Sequence, residues 1–239
     1  MTHNNEFTLE TTTIWNFPNR GNWGKHTPYY RGNWSPYVPR NIILRYSKPK
    51  DIVLDQFLGG GTTLLEASKL NRKFIGVDIN PNSIQLCQSL YNKNTTKNVK
   101  IKLGSAENLS FIEDSSIDLI ACHPPYANAI KYSSDLKGDI SLLDIDDFLS
   151  SMTNVARESF RVLKSGHYCA FLIGDVRKRG NVYPLGFKVL EEYLKEGFTL
   201  KEIVIKEQHN CKMTEKWKEI SKQKNFLLLA HEYLFILYK

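Results

Sequence analysis

The chain has few cysteines, 4 in 239 residues, and they lie far apart. They are Cys87, Cys122, Cys169 and Cys211. Because none of them forms a CxxC pair, the spacing argues against a zinc knuckle and against a disulfide framework. We therefore expect no metal site, and we expect buried thiols in a reducing compartment.

Long apolar runs are also missing. Residues 1–10 are polar and lack the apolar core of a secretory signal peptide. The most apolar stretch, 226–238, is too short and too interrupted to span a membrane. We therefore expect a cytoplasmic protein with no membrane partner.

No phosphate loop of the type GxxxxGK[ST] is present, which argues against ATP binding. A composition of 41% hydrophobic and 24% charged residues is typical of a globular protein, and the length predicts a single domain over 1–239. The formal net charge of +7 favours a polyanionic partner, although many basic proteins bind no nucleic acid.

Short apolar runs and helical spacings alternate from residue 51 onward. Apolar runs predict seven strands, over 52–57, 73–78, 99–103, 117–122, 167–174, 198–206 and 227–237. Helical spacing predicts five helices, over 39–46, 62–70, 81–92, 145–163 and 185–196, with none between the last two strands. Repeated strand–helix units predict an α/β fold with a seven-stranded, mostly parallel sheet, helices on both faces and an antiparallel final strand.

Residues 1–40 differ from the rest of the chain. They hold all but one of the tryptophans, Trp15, Trp23 and Trp34, and few aliphatic residues. This composition predicts an irregular aromatic arm that lies over the main domain and is not a domain of its own.

A glycine turn ends the first predicted strand, where residues 55–63 read DQFLGGGTT. Glycines between a strand and a helix let the backbone turn tightly and approach a ligand closely. Asp78 ends the second predicted strand, where a carboxylate can accept both hydroxyls of a ribose. Together they favour a cofactor that contains a nucleoside. The alternative is an ordinary strand-to-helix turn with an acid that caps a helix.

A stiff polar loop ends the fourth predicted strand, where residues 121–126 read ACHPPY. The prolines fix φ and remove backbone donors. The His123 side chain and the Pro124 carbonyl can each accept one hydrogen of an amino group, and Tyr126 can stack on a flat ring. Two such acceptors draw a conjugated amino nitrogen toward tetrahedral geometry and free its lone pair. The alternative is a Pro-Pro turn with a packed tyrosine.

Together these motifs resemble those of the DNA amino-methyltransferases. VLDQFLGGGTT over 53–63 is similar to their cofactor motif VLDPFxGSGTT, and FIGVDINP over 74–81 is similar to their second motif. The match departs at Gln56 and Gly60, where Pro and Ser are usual. The HPPY loop departs from [D/N/S]PP[Y/F/W] at His123.

The resemblance implies a Rossmann-like enzyme that moves a methyl group from S-adenosylmethionine to an exocyclic amino nitrogen of DNA, adenine N6 or cytosine N4, within a restriction-modification system. The target base would be flipped out or already single-stranded. The resemblance implies these cofactor-binding residues: Asp55, Phe57, Gly59, Gly61, Thr62, Asp78, Asn80, Ser105, Ala106, and Arg31 and Ser35 of the arm. The implied catalytic residues are His123, Pro124, Pro125 and Tyr126.

The histidine at position 123 predicts a pH dependence. A neutral imidazole nitrogen accepts a hydrogen bond, whereas an imidazolium does not. We therefore predict that activity is lost as the pH falls through the His123 pKa. A profile flat down to about pH 5, below the ordinary histidine pKa, would argue against this role.

Target recognition is predicted late in the chain, because the glycine turn precedes the HPPY loop. Within 206–224, basic residues interleave with Trp217, a composition suited to phosphates and base edges. The candidate nucleic-acid contacts are Lys212, Lys216 and Trp217, with Lys131 in a second candidate segment, 131–139. The alternative is a solvated connection, in which case a specificity subunit or a homodimer would supply recognition.

Two other functions remain open. Related enzymes with similar PPY loops include RNA guanine-N2 and protein-glutamine methyltransferases. An inactive nucleic-acid-binding relative is the third hypothesis, with His123 as the sign of lost activity.

Overall fold

A computed structural model describes residues 7–26, 29–30, 32–90, 98–127, 132–209 and 214–239. The strands are β1 (Ile14–Trp15), β2 (Ile52–Asp55), β3 (Lys73–Asp78), β4 (Val99–Leu103), β5 (Ile117–Cys122), β6 (Leu163–Ile173), β7 (Val176–Lys178), β8 (Asn181–Tyr183), β9 (Thr199–Glu207) and β10 (His231–Tyr238). The α-helices are α1 (Tyr37–Tyr46), α2 (Thr62–Lys69), α3 (Pro81–Leu90), α4 (Ile145–Val162), α5 (Leu185–Lys195) and α6 (Thr214–Lys224).

The main sheet has eight strands in the order β1-β9-β10-β6-β5-β2-β3-β4, and β7 and β8 form a separate hairpin. Among the described strands of the main sheet, only β10 runs antiparallel to its neighbours. The predicted α/β fold with an antiparallel final strand is therefore confirmed. The eighth strand is β1, where the arm pairs with β9 through Ile14 and Trp15.

Both faces of the sheet carry helices because its central strands are apolar on both sides. All six residues of β5 are buried. Along β6, Cys169, Phe171 and Ile173 join the core that includes α4 and α5. Ala170 and Leu172 join the core that includes α1 and α2. This alternation follows the two-residue period of a strand.

Besides β1, a helix and a hairpin are absent from the sequence-based prediction. A helix, α6, lies between the last two long strands, where none was predicted. Its sequence has almost no apolar residues, so helical periodicity could not show it. Lysine–glutamate pairs three residues apart lie along it, with Lys218 2.7 Å from Glu215 and Lys222 2.8 Å from Glu219. The short β7–β8 hairpin was also not predicted.

The carboxyl ends of β2, β3, β5 and β6 meet at one edge of the sheet, because these strands are parallel. In open α/β sheets ligands bind at this edge. Among the described helices, none is both long enough and apolar enough to cross a membrane.

Candidate active site

The glycine turn connects β2 to α2 in a conformation that needs glycine. Gly59 has φ +49° and Gly61 has φ +78°, the left-handed region that other residues adopt rarely. A Cβ at Gly60 would lie 2.8 Å from the Cβ of Tyr30. The serine that is usual here in the resembling family would therefore clash with Tyr30, whose hydroxyl lies 2.8 Å from the Ser83 hydroxyl.

Two carboxylates hold the turn, the buried Asp55 and the half-buried Asp78. Asp78 accepts hydrogen bonds from the backbone N–H groups of Gly59 and Asn80, both at 2.8 Å. Asp55 accepts from the Phe57 N–H at 3.0 Å and from the Thr63 hydroxyl at 2.5 Å. Burial raises the pKa of both, and that of Asp55 reaches about 7.

A cavity opens over this turn at the carboxyl edge of the sheet. It is lined by Tyr30, Gly32–Trp34, Asp55–Gly60, Asp78–Asn80, Ser105–Glu107, His123, Pro125, Tyr132, Gly138–Ile140 and Val155. The structure thus brings the glycine turn, Asp78 at the end of β3 and the HPPY loop at the end of β5 to one cavity. At its far end, Ser105 accepts from the Glu107 N–H at 3.1 Å.

Seven of the residues predicted to bind the cofactor line this cavity: Asp55, Phe57, Gly59, Asp78, Asn80, Ser105 and Ala106. Three others do not. Gly61 precedes α2, and the buried Thr62 begins it and donates to the Asn33 side chain. The Ser35 hydroxyl donates to the Arg20 carbonyl at 2.6 Å in a neighbouring cleft. Arg31 lies outside the described residues.

The neighbouring cleft shares a wall with the cavity. Gly32, Asn33, Trp34, His123 and Tyr132 line both. The cleft is further lined by Phe17, Pro18, Arg20, Ser35, Tyr126, Lys206, Gln208, His209 and Glu232.

The two prolines of the HPPY loop are not equivalent. Pro125 lines the cavity, but Pro124 is buried and lines neither space. The sequence-based assignment of an acceptor to the Pro124 carbonyl therefore has no support from the cavity geometry.

The ring of His123 is enclosed by two aromatic rings. It stacks on Trp34 with centroids 5.7 Å apart and planes 25° apart, and its Nε2 lies 2.8 Å from the Tyr126 hydroxyl. Burial lowers the His123 pKa to about 4, although Glu232 acts in the opposite direction. The imidazole is therefore neutral near pH 7. The sequence gives no sign of this burial, so the pH expected for the loss of activity was too high, and a profile flat down to about pH 5 no longer argues against the role of His123.

A buried ion pair, missed in the sequence, lies under Tyr126. Glu232 is 7% exposed and accepts from the Tyr126 hydroxyl at 2.5 Å and from the Lys206 ammonium at 2.9 Å. Burial opposes ionisation of Glu232, but the Lys206 ammonium and the hydrogen bonds from Tyr126 and Lys206 favour the carboxylate, and the pKa of Glu232 is lowered. The sequence signal that could have revealed this ion pair was Glu232, a charged residue at an inward-facing position of the apolar strand β10. Lys206 faces this cleft and is not part of an exposed recognition segment.

The arm is fixed to α2 through a fully buried carboxylate. Glu66 accepts from Trp23 Nε1 at 2.7 Å, lies 2.6 Å from His26 Nε2, and accepts from the Arg40 guanidinium at 2.8 Å. Arg20 then holds the chain near the cavity, since its guanidinium donates to the carbonyls of Asn33 and Trp34 at 2.6 and 2.8 Å. The arm both seals the sheet and contributes cavity walls.

The predicted nucleic-acid contacts divide into two groups. Lys216 and Trp217 are exposed on α6, and the side chain of Trp217 is 47% exposed. Lys131 and Lys212 lie outside the described residues. In the described part of the second candidate segment, 132–139, Tyr132, Gly138 and Asp139 line the cavity over the glycine turn.

Comparison with known proteins places these features in a family. Residues 47–227 match the family model described as a methyltransferase domain, and residues 2–89 match the model described as DNA methylase. The type II methyltransferase M2.LlaDCHI of Lactococcus lactis subsp. cremoris is 40% identical over 60 residues, which is 25% of this chain and 22% of the relative. The type II methyltransferase M1.MboII of Moraxella bovis is 42% identical over 59 residues, 23% of each chain. The matched segments thus span less than a quarter of these relatives.

Solved structures support the fold. TrmN from Thermus thermophilus superposes with a TM-score of 0.60 at 20% identity, covering 87% of this chain and 50% of TrmN. An S-adenosylmethionine-dependent methyltransferase from Methanosarcina mazei superposes with a TM-score of 0.56 at 18% identity, covering 83% of this chain and 96% of its own. These identities show the fold alone. The match over 47–227 shows that the chain belongs to the methyltransferase domain family.

Proposed function

We propose that this chain is an S-adenosylmethionine-dependent enzyme that methylates an exocyclic amino nitrogen of a DNA base, adenine N6 or cytosine N4. The observation that carries the proposal is the shared wall between the two spaces. His123 and Trp34 line both the cavity over the glycine turn and the cleft that holds Tyr126. A cofactor in the first space and a base in the second would meet at this wall.

The cavity residues suit S-adenosylmethionine from end to end. Asp78 lies where it can accept the ribose hydroxyls, and Ser105–Glu107 lie where they can border the adenine. Asp55 adds a carboxylate for a ligand that carries positive charge. When bound, S-adenosylmethionine supplies a methyl group on a positively charged sulfur.

The cleft suits a flat ring that bears an amino group. Trp34, Tyr126 and Phe17 provide ring faces for stacking. His123 is neutral, so one of its nitrogens has a lone pair that can accept an amino hydrogen. Orientation and hydrogen bonding would then supply the rate, without a covalent intermediate on the protein. A base must leave a duplex to enter such a cleft, so the target is flipped out or single-stranded.

A basic surface beside the cleft suits the DNA backbone. The β7–β8 hairpin starts just after Gly174, where a Cβ would lie 3.0 Å from Tyr126 Cε2. Lys178 and Arg179 are exposed in this hairpin. Arg177 attaches the hairpin to the segment after α6, because it donates to the Leu227 carbonyl at 2.8 Å and lies over the Phe226 ring at 5.0 Å. The chain that follows α6 therefore lies against this hairpin.

The biological setting is part of the proposal. The curated relatives are named type II methyltransferases, which supports a restriction-modification role in the cytoplasm. Recognition of a specific sequence would come from this basic surface, from a specificity subunit or from a homodimer.

Labelled S-adenosylmethionine offered with pools of DNA, RNA and protein tests the proposal. We expect label in DNA, recovered after digestion as N6-methyladenine or N4-methylcytosine. The Tyr126→Ala variant should keep its affinity for the cofactor but lose about 1–3 kcal/mol of base stacking. Label confined to RNA or to protein glutamine would overturn the DNA proposal, and no transfer to any pool would favour an inactive relative.

A further inference from the structure

Glu232 lies at the end of a hydrogen-bonded chain that leads to His123. Its Oε1 accepts from the Tyr126 hydroxyl at 2.5 Å, and the same hydroxyl lies 2.8 Å from His123 Nε2. Its Oε2 accepts from Lys206 at 2.9 Å, and the two residues face each other directly across β9 and β10. The carboxylate is thus fixed from both sides.

The Tyr126 hydroxyl has one proton and two acceptor neighbours. If that proton points to Glu232, the phenol oxygen can only accept from His123, so the imidazole must carry its hydrogen on Nε2. If the proton points to His123, Nε2 must be bare, and the Glu232 carboxylate would lose a charge-assisted hydrogen bond. A carboxylate 2.5 Å away competes better for the proton than a neutral imidazole at 2.8 Å.

We propose that Glu232, held by Lys206 and acting through Tyr126, is a positioning residue that fixes the tautomer of His123 with its hydrogen on Nε2 and its lone pair on Nδ1. This inference rests on the proposed amino-methyl transfer, in which His123 accepts a hydrogen of the target amino group. Two acceptors compete for the single ring hydrogen: the Tyr126 oxygen at Nε2, and the Gly32 backbone. Without Glu232, the Gly32 backbone would prevail and the ring would adopt the Nδ1–H tautomer. Nδ1 would then be a donor and could not accept from the target.

Apart from the Gly32 backbone, which competes for the ring hydrogen, the other groups around the imidazole do not impose a tautomer. Trp34 contacts the ring by stacking and offers no acceptor to its edge. Lys206 and Arg20 are cations that disfavour protonation of the ring as a whole. Gly174 leaves space for Tyr126, since a Cβ there would lie 3.0 Å from its ring. Among these neighbours, the choice between the two nitrogens depends on Tyr126 and Glu232.

The test is the ¹⁵N spectrum of histidine-labelled full-length protein near pH 7.5, without substrate, compared with its Glu232→Gln variant. We expect Nε2–H at His123 in the wild type. In Glu232→Gln the amide oxygen faces Lys206, so the amide N–H₂ faces Tyr126 and turns the phenol proton toward His123, which converts the ring to Nδ1–H. The matched control, Glu202→Gln on the exposed side of β9, should change nothing.

With substrate, we expect kcat of Glu232→Gln to fall about 100-fold, as for a lost hydrogen bond at a reaction centre, with an unchanged Kd for S-adenosylmethionine. If Glu232→Gln does not fold, Tyr126→Phe should produce the same Nδ1–H tautomer. Nδ1–H in the wild type, or Nε2–H retained in the variants, would overturn the inference. These spectra need no substrate, so they stand whether or not DNA is the methyl acceptor.

Discussion

At the scale of single residues, Asp55 would give the proposed cofactor site a pH dependence. Its carboxyl lines the cavity, and burial raises its pKa to about 7. Below that pH the carboxyl is neutral and contributes no charge opposite a cationic ligand. Above it, the carboxylate attracts the ammonium and sulfonium charges of S-adenosylmethionine.

We therefore expect the affinity for S-adenosylmethionine to be constant above about pH 8 and to weaken as the pH falls below about 7, approaching tenfold per pH unit. Isothermal titration calorimetry between pH 5.5 and 8.5 measures this. The Asp55→Asn variant, which cannot ionise, should bind more weakly at pH 8 and show no such slope. An equal slope in both proteins would assign the titration to another group.

His123 predicts a second, separate pH effect on turnover. Because burial lowers its pKa to about 4, the acceptor form persists throughout the neutral range. At saturating cofactor we expect kcat to stay flat from pH 7.5 to about 5 and to fall as the pH drops through about 4, provided that the protein remains folded by circular dichroism. A loss centred near pH 6.5, the ordinary histidine value, would contradict this environment.

Single residues were predictable where a motif carried them. The glycine turn, Asp78 and the HPPY loop were found in the sequence because each follows a strand end at a characteristic spacing. Glu232 and Lys206 were not, because their partnership depends on the register of β9 and β10. Gln56, in place of the usual proline, donates to the Ser159 hydroxyl of α4 at 2.8 Å, a contact across 103 residues that no local pattern shows.

At the scale of elements, the β7–β8 hairpin carries exposed charge beside the cleft. We expect the double variant Lys178→Glu/Arg179→Glu to bind DNA at least about tenfold more weakly. The slope of log binding constant against log salt concentration should become shallower by about two, because each lost phosphate contact reduces that slope by about 0.9. Fluorescence anisotropy with a labelled duplex at several salt concentrations measures both quantities.

The matched control for this variant lies on β4, an edge strand of the main sheet. Lys100 and Lys102 are exposed on β4, so Lys100→Glu/Lys102→Glu makes the same change of net charge far from the cleft. We expect it to reduce DNA affinity less and to leave cofactor binding unchanged. Equal losses in both double variants would mean that net charge, and not the hairpin, governs DNA binding.

Elements with an apolar period were predicted well, and those without one were not. The strands β3, β4 and β5 have the predicted bounds, since each is a short apolar run between turns. The helix α6 is stabilised by side-chain ion pairs and has no apolar face to detect. The strand β1 exists because the arm crosses to β9, a tertiary pairing that two residues cannot encode locally.

At the scale of the whole molecule, the arm couples stability to ligand binding. Glu66 anchors it to α2, and Tyr30 and Asn33 of the arm line the cofactor cavity. We expect Glu66→Leu to lower the free energy of unfolding by about 3 kcal/mol, because it leaves Arg40 without its buried partner. The variant should also bind S-adenosylmethionine more weakly. Urea denaturation and calorimetry measure the two effects, with exposed Glu113→Gln as control.

The proposed methyl transfer requires that the cavity over the glycine turn and the neighbouring cleft meet at one wall, so that a methyl donor and an amino group face each other. Expression in a host without DNA methylation, followed by sequencing of modified bases, tests this most directly. We predict N6-methyladenine or N4-methylcytosine at a recurring sequence, absent when Asp78 is changed to Asn. Host DNA free of both bases, from cells that contain the folded, cofactor-binding protein, would contradict the account.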